Sequence, residues 1–111
     1  MDFRVEITGP AIADLAEIVS YFAQDNPAAA KALGENLLDA ALSLAKTPFK
    51  GSRYPKLADV RKLTLPPFKI FYRVNGPKER LQILRFWHSA HRETTYDFSF
   101  SAFQLLPRSD L

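Results

Sequence analysis

The sequence predicts an α+β domain in which one strand and an antiparallel hairpin of two helices precede a three-stranded antiparallel sheet. Apolar and polar residues alternate near the N-terminus and again between residues 60 and 88, which is the period of a strand. Between these regions apolar residues recur at helical spacing. Short connections favour antiparallel pairing of the later strands. The predicted order is therefore β-α-α-β-β-β.

Composition restricts the class of protein. The chain has 111 residues, 47% of them hydrophobic, which suits one domain with a real core. It has no cysteine, which excludes a disulfide scaffold, thiol catalysis and a cysteine-based metal site. Its apolar runs are too short for a membrane span, and the start, MDFRVEIT, lacks the apolar region of a secretory signal. We therefore expect a cytoplasmic protein without a membrane segment, a metal site or a cofactor.

The first strand and first helix have clear signals. Phe3, Val5 and Ile7 alternate with polar residues, and Thr8-Gly9-Pro10 then ends the strand and starts a helix. Six apolar residues at helical spacing form the stripe that this helix buries: Ala11, Ile12, Leu15, Ile18, Val19 and Phe22.

The second helix is predicted from Pro27 to about Lys46. Asn26 is its expected N-cap, and proline suits the first helical position. The short link to the first helix predicts an antiparallel hairpin. Gly34, inside the second helix, predicts a close approach between the two.

Three strands are predicted after the helices. The first runs near Val60 to Leu65 and ends at the Pro66-Pro67 corner, because proline cannot lie inside a ladder. The second runs from Phe68 to Val74, and the third from Leu81 to His88. The break at residues 75–77, Asn-Gly-Pro, predicts a hairpin with a loop longer than two residues.

One face of this sheet is expected to stay open and basic, because two helices cover only one face. Lys69 and Arg73 lie two residues apart on that face. Arg85 joins them if the third strand pairs in the matching register, which the sequence does not fix. Arg61 lies on the side of Leu63, where an ion pair at the sheet edge is the alternative to contact with a ligand.

Residues 93–111 form a tail that is too apolar to be fully solvated. Phe98, Phe100 and Phe103 nearly alternate with serines. The tail either packs on the domain of residues 1–92 or binds a partner.

An ordered set of short motifs between residues 3 and about 92 resembles the RelE/ParE superfamily, the toxins of type II toxin–antitoxin systems. The resemblance is greater to ParE-like than to RelE-like members, and the tail lies outside it. The motifs are Asp14-Leu15 with Ile18 and Tyr21, Pro48-x-x-Gly51, Val60-Arg61-Lys62-Leu63, Phe68-Lys69-Ile70-Phe71-Tyr72-Arg73-Val74, and Ile83-Leu84-Arg85-x-x-His88-x-x-x-Arg92.

The resemblance implies a bacterial growth inhibitor that binds a cognate antitoxin in a hetero-oligomer. ParE-like toxins inhibit DNA gyrase by binding it, whereas RelE-like toxins cleave mRNA in the ribosome without a metal. A third possibility is a non-toxic relative that only binds an antitoxin. For a ribonuclease, the resemblance implies that cations hold phosphates and that His88 or Tyr96 acts as acid or base. The implied catalytic set is Lys69, Arg73, Arg85, His88 and Tyr96.

For a toxin that acts by binding, the same surface meets the target. We expect target contacts from Arg61, Lys69, Arg73, Trp87 and Arg92. Besides Arg61, the other residues also have structural alternatives. Lys69 and Arg73 could belong to a solvated basic face, Trp87 to the core, and Arg92 to an ion pair. For His88 the alternative is support for the end of a strand. The antitoxin contacts that we expect are Phe98, Phe100 and Phe103.

Overall fold

A computed structural model describes residues 2–88, which form two helices packed on one face of a five-stranded mixed sheet. The elements are β1 (Arg4–Ile7), α1 (Gly9–Ala23), α2 (Pro27–Ser43), β2 (Ser52–Arg53), β3 (Val60–Leu65), β4 (Phe68–Asn75) and β5 (Arg80–His88). The strand order across the sheet is β1-β5-β4-β3-β2. The predicted α+β class and element order are confirmed, with the two-residue strand β2 added. Neither helix here is long and apolar enough to cross a membrane.

The two helices begin where the sequence predicts, but their caps differ. Asn26 caps α2 through its side-chain oxygen, which accepts a hydrogen bond of 3.0 Å from the Ala29 amide. Thr8 occupies the N-cap of α1 without a capping hydrogen bond from its side chain. Its hydroxyl instead donates to the carbonyl of Ile83 at 2.7 Å, so this residue ties the start of α1 to β5. The second helix ends at Ser43, three residues before the predicted Lys46.

Gly34 lets the two helices approach each other closely, as predicted. A Cβ atom at this position would lie 2.7 Å from Cγ2 of Val19 on α1, which is closer than carbon atoms normally approach. Both helices turn their apolar stripes to the sheet. The core that results contains buried residues from every layer, among them Ala11, Ile18, Leu37, Ala41, Ile70, Tyr72, Leu81 and Ile83.

We expect Gly34→Ala to destabilise the protein by about 1–2 kcal/mol. The repulsion between the added methyl and Val19 should exceed the gain in helix propensity from glycine to alanine. In the Val19→Ala background the same change should cost much less, because the clashing methyl is gone. Urea unfolding of the four proteins of this cycle measures the coupling. Gly9→Ala is the control, since nothing lies within 4 Å of its added Cβ. Equal costs of Gly34→Ala in both backgrounds would contradict the close approach.

The sheet is antiparallel except at one edge. Residues 60–65 pair with residues 68–73, and β4 pairs with β5, both in the predicted antiparallel sense. The N-terminal strand β1 adds to β5 in parallel, with Val5 beside Leu81 and Ile7 beside Ile83. The chain can return to β5 in this sense because the helix hairpin provides the long crossover that parallel strands need.

A β-bulge in β5 changes which side chains face the helices. Phe71 pairs with Arg85 while Tyr72 pairs with Ile83, so Leu84 is the extra residue. Before the bulge, Ile83 faces the helical core; after it, Phe86 does. Strict alternation from Ile83 would place the even-numbered Phe86 on the opposite face. The bulge thus sets the final orientation of the last three residues of β5.

The second face of the sheet is not open, contrary to the prediction. Val60, Phe71, Leu84 and Trp87 form a separate buried cluster on it. Tyr54 and Leu57, from the segment between β2 and β3, pack against this cluster. The ring of Tyr54 meets that of Phe71 edge-on, with centroids 5.5 Å apart. The prediction failed because it considered only the two helices as cover, whereas Tyr54 and Leu57 also cover the sheet.

Candidate functional site

The guanidinium of Arg85 is bound to the first helix. Its Nε and Nη2 atoms donate to the two carboxylate oxygens of Asp14 at 2.5 and 2.7 Å. The amide of Phe86 donates to the same carboxylate at 3.2 Å. The strand β1 ends at Ile7, so α1 covers the remaining edge of β5. There Asp14 accepts the hydrogen bond from the Phe86 amide that a carbonyl of a neighbouring strand would otherwise accept. Arg85 pairs across the strands with Phe71, whose side chain lies on the face of Lys69 and Arg73, but Asp14 holds its guanidinium at the edge of β5.

The Asp14 carboxylate is largely removed from water, and only 15% of its side-chain surface and 15% of that of Arg85 are exposed. Burial raises the pKa of Asp14 above its ordinary value, and the hydrogen bonds and charge of Arg85 oppose that rise. Desolvation is thus the largest single influence on this carboxyl group. A buried pair of this kind is costly to break, because either partner alone leaves an uncompensated charge.

Arg73 lies on the sheet face opposite the helices, as predicted, but it is buried. Only 1% of its surface is exposed. Its Nε atom lies 3.1 Å from a carboxylate oxygen of Asp59, whose side chain is 45% exposed. Asp59 directly precedes β3, and Val60 is the cross-strand neighbour of Arg73. The guanidinium is therefore neutralised within the chain.

Lys69 and Trp87 face each other across β4 and β5 on the same side of the sheet as Arg73. Lys69 is half-buried, and Trp87 is 5% exposed within the cluster that covers this face. Trp87 therefore lies in a buried cluster, which was the structural alternative to a role in target contact. The strand register thus places all three predicted face cations on one face, but the guanidinium of Arg85 is bound by Asp14.

Arg61 supports the loop that precedes β2. Its Nη1 atom donates to the carbonyls of Gly51 at 2.7 Å and Phe49 at 3.3 Å. Its guanidinium lies 5.0 Å from the centre of the Phe49 ring. The predicted ion pair at the sheet edge is therefore replaced by carbonyl and ring contacts, although the side of the sheet was predicted correctly.

His88 packs among aromatic rings at the end of β5. Its ring centroid lies 4.9 Å from that of Phe68 and 5.8 Å from that of Phe22 on α1. This environment agrees with support of the strand end, which was the structural alternative for this residue. The other predicted site residues, namely Arg92, Tyr96, Phe98, Phe100 and Phe103, lie outside the described residues.

Gly51 and Tyr72 form a junction that the sequence did not predict. The Gly51 amide donates to the Tyr72 hydroxyl at 2.8 Å. Burial raises the pKa of Tyr72 above its ordinary value, while this hydrogen bond and the charge of Arg61 lower it. A Cβ atom on Gly51 would lie 2.7 Å from both the Tyr72 hydroxyl and the Lys62 carbonyl oxygen. Only glycine therefore fits here.

An apolar groove lies between the two helices of the hairpin. It encloses about 550 Å³ and is lined by Ile12, Leu15, Val19 and Leu38, with Lys31 and Glu35 among its polar residues. Ile12 is 57% exposed, which is unusual for a large apolar side chain in a helix stripe.

Comparison with known proteins identifies the family. The family model that describes the ParE toxin of the type II toxin–antitoxin system parDE matches residues 5–93. Comparison with curated proteins gives no match.

Among solved structures, the chain is similar to one from the chromosomal ParDE toxin–antitoxin system of P. aeruginosa, with 28% identity, a TM-score of 0.67, and coverage of 78% of this chain and 95% of that one. It shares its fold with a chain of the RelBE2 toxin–antitoxin complex of Mycobacterium tuberculosis, at 21% identity and TM-score 0.61, over 79% of this chain and 99% of that one.

It also shares its fold with a mutant of the E. coli toxin RelE in the free state, at 14% identity and TM-score 0.66, over 96% of this chain and 100% of that one. The match to the family model covers most of the sequence, and the fold agrees with it. The chain belongs to the ParE family, the toxins of type II toxin–antitoxin systems.

Proposed function

We propose that this ParE-family toxin inhibits growth by binding DNA gyrase and that it does not cleave RNA. The pairing of Arg85 and Arg73 with carboxylates of their own chain supports the proposal. A metal-independent ribonuclease of the predicted kind needs cations directed at the phosphate that reacts. Here one guanidinium is held by Asp14, and the other is buried beside Asp59.

We further propose that a cognate antitoxin neutralises the toxin by docking a helix in the apolar groove of the hairpin. The groove has apolar walls from Ile12, Leu15, Val19 and Leu38, and charged residues of both signs beside them. An amphipathic helix with apolar residues at spacings of three and four matches such a groove. Contacts from Phe98, Phe100 and Phe103 remain a prediction for the tail.

The supercoiling activity of purified gyrase tests the proposal. We expect the full chain to block supercoiling of relaxed plasmid, and the antitoxin encoded beside it to restore the activity. Relaxation by a type I topoisomerase is the control for unspecific effects on DNA and should be unaffected. Unchanged supercoiling at saturating, folded toxin would overturn the proposal.

A further inference from the structure

The net positive charge of this protein is concentrated in one short segment. Residues 46–62 contain six of the 15 lysines and arginines but only one of the 12 acids, so their net charge is +5 while that of the whole chain is +3. The rest of the chain is therefore net negative. The two helices alone carry four acids and one lysine. The molecule thus presents an acidic hairpin and a basic region elsewhere.

This basic region lies at the β2 edge of the sheet. Ser52 and Arg53 form the two-residue edge strand, and Lys62 is the cross-strand partner of Ser52. The cations that follow and precede this strand are exposed, and Lys62 is half-buried. We call this surface the basic edge; it consists of Lys50, Arg53, Lys56 and Lys62.

The charges of the basic edge are not neutralised within the described residues. None of its four cations has a carboxylate within 4.0 Å there, whereas Arg73 and Arg85 each have one. The one acid of the segment, Asp59, lies beside Arg73. Lysines on an edge strand also block pairing with other sheets. Four cations without a carboxylate partner around a two-residue strand exceed what that protection needs.

We propose that the basic edge binds the phosphate backbone of duplex DNA without sequence preference. Lysine suits phosphate contacts and is depleted at the cores of protein–protein interfaces, which argues against an acidic protein as partner. Single-stranded nucleic acid is bound through exposed rings that stack on bases. The exposed ring beside this surface, Phe49, is already stacked with Arg61. Contacts with the phosphate backbone of a duplex need no exposed aromatic ring.

Fluorescence anisotropy of a short labelled DNA duplex, titrated with the full chain, tests the proposal. If the four cations contact phosphates, the logarithm of the association constant should fall with the logarithm of salt concentration with a slope of about −4 between about 50 and 200 mM. The pair Lys50→Gln and Lys56→Gln should reduce the slope by about 2 and weaken binding about tenfold or more at low salt.

The matched control is the pair Arg4→Gln and Lys78→Gln, which removes two exposed cations from other surfaces. It should change the affinity less than about twofold, since contacts and not net charge are decisive. Equal losses in the two double variants would overturn the proposal, as would tighter binding to polyglutamate or to single-stranded RNA than to the duplex. The assay contains no gyrase, so its outcome is independent of the supercoiling test.

Discussion

Asp14→Ala is expected to destabilise the protein by about 3–5 kcal/mol, because it leaves the buried guanidinium of Arg85 without its carboxylate. It also removes the acceptor of the Phe86 amide at the edge of β5. The start of α1 would then be held to β5 mainly by the hydrogen bonds of Thr8 to Ile83. Urea unfolding monitored by circular dichroism measures the loss.

Asp39→Ala is the matched control, because it removes an exposed aspartate from α2 and should change the free energy of unfolding by less than about 0.5 kcal/mol. The double variant with Arg85→Met should lose less than the sum of the two single variants, because no charge is then left alone. Additive losses, or an Asp14→Ala variant as stable as the control, would show that the pair does not hold the helix to the sheet.

Gly51→Ala is the second change with a large expected effect, about 2–4 kcal/mol of lost stability. The added methyl would lie 2.7 Å from the backbone oxygen of Lys62. Because that oxygen belongs to β3, which is paired on both sides, relief requires β2 to move away. The move breaks the hydrogen bond from Gly51 to Tyr72, whose hydroxyl is then left buried.

Gly76→Ala provides the comparison, since nothing lies within 4 Å of its added Cβ and its φ is not positive. That change should be neutral or slightly stabilising. Tyr72→Phe should cost about 0.5–1.5 kcal/mol and should not rescue Gly51→Ala, because the contact with the Lys62 carbonyl remains. A Gly51→Ala variant with the stability of the Gly76→Ala variant would contradict the tight junction.

The elements of the fold were predictable because local chemistry determines them. Alternation marks β3, β4 and β5, and Asn26-Pro27 marks the start of α2 in the sequence itself. The parallel pairing of β1 was not predictable, since it depends on where the crossover returns. The two-residue strand β2 has no periodicity at all, because a strand of this length shows no alternation.

The site was less predictable, because its contacts join distant parts of the chain. Asp14 and Arg85 are 71 positions apart, and nothing near either residue specifies the other. The bulge at Leu84 interrupts the alternation of β5. Strict alternation would therefore assign the last residues of this strand to the wrong face of the sheet. The cover provided by Tyr54 and Leu57 was missed because apolar side chains in an irregular segment carry no periodic signal.

We propose that a toxin whose arginines are paired in this way binds its target and does not cut RNA. Mapping of mRNA 5′ ends in translating cells, after induction of the toxin without its antitoxin, tests this claim most directly. We expect arrested growth with no cuts linked to codon position. Codon-linked cuts that are absent when the antitoxin is expressed with the toxin would contradict the proposal.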